Sequence, residues 1–135
     1  MSILAIDYGE KRVGIAVSAE GYFAKGLTII KVKSKKDLLE KIEAISKQEK
    51  TEKIIVGLPR TLENEIGPQA KKVQEFIKKL KEKLEIPVIP FDETLTTNEA
   101  KEGLKTSGAS AEEIEEKLDE EAARLILQEY LDQNR

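Results

Sequence analysis

Near its start the chain runs Ile3-Leu4-Ala5-Ile6 and then meets an acid, Asp7. Four apolar residues without alternation read as a central strand buried on both faces. A sheet built around such a strand needs a covering layer on each side, so the rest of the chain must supply helices. The pattern that follows does so. Asp7-Tyr8-Gly9-Glu10-Lys11-Arg12 reads as a turn, and Val13 to Ser18 as a second strand close enough to pair as a hairpin. Tyr22 to Val32 contains a third strand centred on Leu27-Thr28-Ile29-Ile30.

The apolar period then changes from strand to helix. Leu38, Ile42 and Ile45 fall on one helical face, with Ser34 as N-cap. Lys53 to Leu58 reads as a fourth strand, stopped by Pro59. Ala70, Val73, Ile77, Leu80 and Leu84 form a helical stripe through a lysine-rich segment opened by Gly67. Pro87-Val88-Ile89-Pro90-Phe91 is a short fifth strand whose two prolines suit an edge. Thr96-Thr97-Asn98-Glu99 and Ser110-Ala111-Glu112-Glu113 both have capping-box form, so two helices are expected there, separated at Gly108. In the last helix the expected apolar set is Ile114, Leu118, Ala122, Leu125, Ile126 and Tyr130. The order β-β-β-α-β-α-β-α-α implies an antiparallel meander followed by two parallel crossovers. The expected fold is a single α/β domain over 1–135, a mixed five-stranded sheet with helices on its faces.

Composition narrows the chemistry by what it lacks. The chain has no His and no Cys, which removes Ser-His-Asp and Cys-His catalysis and imidazole or thiolate zinc sites. Carboxylates, hydroxyls, Lys, Arg and Tyr remain, and carboxylate oxygens suit Mg²⁺ or Mn²⁺. No apolar run approaches membrane-spanning length and the N-terminus lacks signal-peptide form, so a cytoplasmic protein is expected. The net charge of −3 is split. Residues 1–92 hold 18 basic against 14 acidic side chains, and residues 93–135 hold 5 against 12. The basic body is able to meet a polyanion; equally, it is an ordinary solvated surface.

Three acids are candidates for a shared site. Asp7 ends the buried first strand, although an Asp before a glycine turn also caps that turn with its own carboxylate. Asp92-Glu93 follows the fifth strand, where loop solvation is the plainer reading. Asp119 borders the apolar face of the last helix, where an unpartnered carboxylate is costly; the alternative is the rim of an acidic helix. If the three converge, they repel one another unless a cation neutralises them, and such a cluster suits metal-assisted phosphodiester hydrolysis. Lys11, Arg12, Arg60, Thr96 and Thr97 are candidate substrate contacts. Lys71, Lys72, Lys78, Lys79, Lys81 and Lys83 form either a nucleic-acid surface or a solvated face.

Four blocks in order carry a family resemblance. They are Asp7-Tyr8-Gly9-Glu10-Lys11-Arg12-Val13-Gly14-Ile15-Ala16-Val17-Ser18, then Val56-Gly57-Leu58-Pro59, then Asp92-Glu93-Thr94-Leu95-Thr96-Thr97-Asn98-Glu99-Ala100, then Leu118-Asp119-Glu120-Glu121-Ala122-Ala123-Arg124-Leu125 and onward to Asp132. Nearly end to end the chain resembles the YqgF or RuvX-like family, described as pre-16S rRNA nucleases and formerly as Holliday junction resolvases. The resemblance implies a ribonuclease H-like fold with strand order 3-2-1-4-5. It implies Asp7, Glu93 and Asp119 as catalytic and metal-holding acids, and Mg²⁺ or Mn²⁺ as cofactor. It also implies 5′-end trimming of 16S rRNA precursor in the cytoplasm. Separately, a monomer or weak dimer is expected. Thr94 replaces the family's usual Arg, and Thr61-Leu62-Glu63-Asn64-Glu65 lacks its usual glycine turn.

Two other readings stay open from the residues alone. One is a nucleic-acid or ribosome-factor binding module with the same fold and no activity; the other keeps the nuclease but on a branched DNA junction. An actin-type ATPase shares the Asp-x-Gly opening but needs two such lobes, and 135 residues do not build them.

Overall fold

The computed structural model describes residues 2–58, 68–92 and 111–134, and at 68, 69, 92 and 111–120 the backbone alone. Eight elements are described. Strand β1 is Ser2–Asp7, β2 is Arg12–Ser18 and β3 is Lys25–Lys31. Helix α1 (Lys35–Gln48) leads to β4 (Thr51–Leu58), α2 (Pro68–Lys83) to β5 (Val88–Asp92), and α3 (Ala111–Gln133) closes the chain. The helix expected from Thr96, the break at Gly108 and the cap at Ser110 lie outside the described residues.

The sheet order is β3-β2-β1-β4-β5. β1 pairs antiparallel with β2, and β2 with β3; β1 pairs parallel with β4, and β4 with β5. The apolar run is therefore central, as its lack of alternation requires. Pro90 sits in β5 opposite Val56. It has no N–H to give, and an edge strand with one neighbour tolerates that.

The period of two in β1 splits the core into two layers. Leu4 and Ile6 pack with Val13, Ile15, Ile54 and Val56 against Leu38 and Ile42 of α1 and Val73, Phe76, Ile77 and Leu80 of α2. Ile3 and Ala5 pack with Ala16 and Ile55 against Ala123, Ile126, Leu127 and Leu131 of α3. Each fully buried Ile or Leu stabilises by about 1.5–3 kcal/mol before entropy is counted.

Local signals set the helix ends. Ser34 is extended, and its hydroxyl accepts from the Asp37 N–H at 3.1 Å, satisfying one orphan donor of the first turn. Pro68 opens α2, where its missing N–H costs nothing. Gln128 ties α3 to the β2–β3 hairpin: its Oε1 accepts from Ala24 N–H at 2.9 Å and its Nε2 donates to the Tyr22 carbonyl at 3.1 Å.

The expected buried face of the last helix needs correction. Ala122 and Ile126 are buried as expected, but Ala123, Leu127 and Leu131 complete the face, while Leu125 and Tyr130 are only partly buried. Likewise Phe76, absent from the expected stripe of α2, is buried. Strand bounds differ by a few residues: Arg12 already belongs to β2, Asp7 to β1, and β3 begins only at Lys25.

Candidate active site

Asp7 is the last residue of the central strand and is half-buried. Following Ile3 and Ala5, it belongs to the sheet face covered by α3. Its register partner in β2 is Gly14. On the other side, Gly57 lies one step past Val56, which pairs with Ile6. Both residues level with Asp7 on the neighbouring strands are thus glycines. Glycine inside a strand weakens it and marks a close approach of backbone or ligand. Glycine at both positions is the sequence signal that could have marked them as part of the site.

The turn after Asp7 is tightly built. A Cβ at Gly9 would lie 2.5 Å from the Arg12 carbonyl oxygen, so only glycine fits without a shift. Val32 N–H donates to the Lys11 carbonyl at 2.8 Å, and Arg12 pairs with Lys31. Lys11 is exposed and Arg12 half-buried at the same sheet end as Asp7. Glu10 forms an exposed ion pair with Lys72 of α2. The Lys72 hydrogen bond and charge hold the Glu10 carboxyl below its ordinary range, and Glu10 pushes Lys72 up in return.

Asp119 lies within α3, one helical turn before Ala122 and Ala123, both buried against the sheet. The direction of α3 follows from Gln128. Its partner Ala24 precedes Lys25, which pairs with Val17, itself opposite Leu4. The late part of α3 therefore lies at the Ser2 end of β1. The nine steps back from Gln128 to Asp119 rise about 13 Å; the strand from Leu4 to Asp7 covers about 10 Å. The earlier part of the helix runs toward the Asp7 end. Side-chain detail at Asp119, together with all of Glu93, Arg60, Thr96 and Thr97, lies outside the described residues. Among the described residues no group of three metal-ligating side chains occurs.

All six lysines singled out in α2 are exposed. Among the described residues no helix is long and apolar enough to cross a membrane.

Three antiparallel strands followed by two parallel ones, in the order 3-2-1-4-5, with an acid ending the central strand, define a ribonuclease H-like fold. RuvC of Thermus thermophilus is similar over 99% of this chain and 96% of its own, at 17% identity and TM-score 0.55. The T. thermophilus RuvC structure in complex with a Holliday junction substrate covers the same shares at 15% identity and TM-score 0.61. At such identities the likeness concerns the fold. Closer in sequence is a "Putative pre-16S rRNA nuclease" of Thermoanaerobacter pseudethanolicus, 43% identical over 98% of this chain and 96% of that protein. One of the same name from Syntrophus aciditrophicus is 44% identical over 98% and 89%. The family described as "RuvX: Holliday junction resolvase" matches residues 1–133. The chain belongs to the RuvX family.

Proposed function

We propose that this chain is a divalent-metal-dependent nuclease that hydrolyses phosphodiester bonds of structured RNA, acting in the cytoplasm on the 5′ end of 16S rRNA precursor. The observation that carries the reading is Asp7 at the end of the central strand, on the α3 face, flanked by Gly14 and Gly57. Glycine on a neighbouring strand projects no side chain of its own toward that carboxylate. Asp7, Glu93 and Asp119 would hold Mg²⁺ or Mn²⁺; hard oxygen donors suit both ions. The bound ion supplies positive charge where negative charge grows on the phosphate oxygens.

The rest is the work of the chain itself. Lys11, on the turn that Gly9 allows, and Arg12, the first residue of β2, stand at the Asp7 end and would bind phosphate oxygens of the strand. Arg60, Thr96 and Thr97 are proposed to extend that grip. The names of the relatives favour rRNA precursor as substrate, and the family description adds a DNA junction as the competing one.

The test is cleavage of a 16S precursor 5′-leader RNA in Mn²⁺, in Mg²⁺ and in chelator, beside a four-way DNA junction. Cleavage should require the ion, prefer the RNA and fall by about a hundredfold or more in Asp7→Asn with the melting midpoint in chelator unchanged. Cleavage that survives Asp7→Asn removes this residue from the mechanism. RNA binding in chelator without cleavage in either ion leaves a binding module instead.

A further inference from the structure

A recess lies on the opposite face of the sheet from Asp7. Its volume is about 300 Å³, and Tyr8, Val32, Leu38, Leu39 and Phe76 make its apolar lining. That volume is at the small end of ligand sites. Tyr8 is stacked on Phe76, with ring centroids 4.5 Å apart and planes 20° from parallel. Lys35, Lys72 and Lys79 stand around it, with Glu10 and Glu75. Lys72 is engaged by Glu10. Lys35 and Lys79 form no ion pair among the described residues. Lys35 also opens α1, so the positive end of that helix faces the same region.

We propose that this recess seats one unpaired nucleotide of the strand that passes Asp7, with the base against the Tyr8–Phe76 stack and the phosphate between Lys35 and Lys79. This rests on the nuclease reading for the course of the strand. Two features together point to a nucleotide. An aromatic, apolar floor accepts the π face of any base, and lysines track the phosphate that follows it. A recess of this volume holds no base pair, so a base must leave its own stack to enter, which selects single-stranded segments over duplex. Continuity is built into β1. Successive strand residues face opposite ways, so Asp7 belongs to the α3 layer and Tyr8 to the α1 and α2 layer. A strand crossing the Tyr8–Gly9 turn passes from one site to the other.

The test uses the full chain in chelator and a labelled single-stranded RNA heptamer, followed by fluorescence anisotropy. The double change Lys35→Glu with Lys79→Glu should weaken binding about tenfold. Glu75→Lys should tighten it. Lys78→Glu with Lys81→Glu, on the same helix but outside the recess, should change it less than about twofold. All these side chains are exposed, so the melting midpoint should hold and reports on folding. An effect of the first pair no larger than that of the second overturns the proposal, because it leaves only general charge. In a parallel titration with 5′-AMP, loss of AMP binding in the first variant while heptamer binding holds assigns the recess to a free mononucleotide and overturns the strand path. The assay contains no divalent ion. A chain that binds through the recess yet never cleaves in Mn²⁺ refutes the nuclease reading alone.

Discussion

Gly9 shows how one residue governs the geometry around Asp7. The missing Cβ lets the turn close against the Arg12 carbonyl. Gly9→Ala should destabilise by about 1–3 kcal/mol, read from the urea midpoint, because the obstacle is backbone, not a movable side chain. An unchanged midpoint would mean the turn relaxes freely. The Glu10–Lys72 pair obeys a different rule. Glu10's lowered pKa makes its contribution complete above the ordinary 4.5 and lost as pH falls through the folded value. Lys72's raised pKa makes its contribution complete below 10.5 and lost as pH rises through the folded value. Both side chains are exposed, so water and salt screen them. Lys72→Met should return the Glu10 titration, followed by carboxyl-carbon NMR, up toward 4.5. The melting midpoint at pH 7 should barely move. A Glu10 titration that stays low would show that Lys72 is not its cause. Of the residues around the site, Asp7 was legible because an acid ending an apolar run is conspicuous. Gly14 and Gly57 carried a weaker signal, since glycine in a strand has several uses.

At the scale of elements, the antiparallel meander and the two parallel crossovers were legible from period changes, since each later strand is reached through a helix, whereas the order 3-2-1-4-5 followed from the family resemblance. The face of α3 was not. Apolar residues stand at 122, 123, 125, 126, 127, 130 and 131, nearly all around the helix, so periodicity leaves its orientation open. The sheet decides it: Ile3, Ala5, Ala16 and Ile55 form a surface that takes Ala123, Ile126, Leu127 and Leu131. Small residues on both sides, Ala5 and Ala16 against Ala123, let the helix approach closely. The choice has a measurable consequence. Ile126→Ala should cost about 2–5 kcal/mol, the range for emptying a buried aliphatic site. Leu125→Ala, at a partly buried position, should cost roughly 1 kcal/mol or less by area. Equal losses in urea titrations would mean that the helix is rotated from the orientation described. The recess behind the sheet was equally hidden from sequence. Tyr8, the Val32–Lys35 stretch and Lys79 come from three separate segments, and no local spacing announces their meeting.

The whole molecule tests whether distant acids share one site. The residues 93–135 carry the acidic surplus and residues 1–92 the basic one, so folding brings α3, from the acidic part, onto a sheet whose central strand ends in Asp7. Adding a further carboxylate to that end is unfavourable without a cation. If Asp7, Glu93 and Asp119 hold one, the native state binds Mn²⁺ and the unfolded chain does not. Binding at a hundred times the dissociation constant stabilises by about 2.7 kcal/mol, a rise of several degrees for a chain of 135 residues. Asp7→Asn should abolish that rise. Its melting midpoint in chelator, set beside the parent's, reports on folding. The two chains are compared by calorimetry with and without Mn²⁺, against Na⁺ at equal ionic strength. An equal Mn²⁺ response in both would show that the ion binds elsewhere on an acidic surface. A parent chain that does not respond at saturating Mn²⁺ would mean that its carboxylates do not meet.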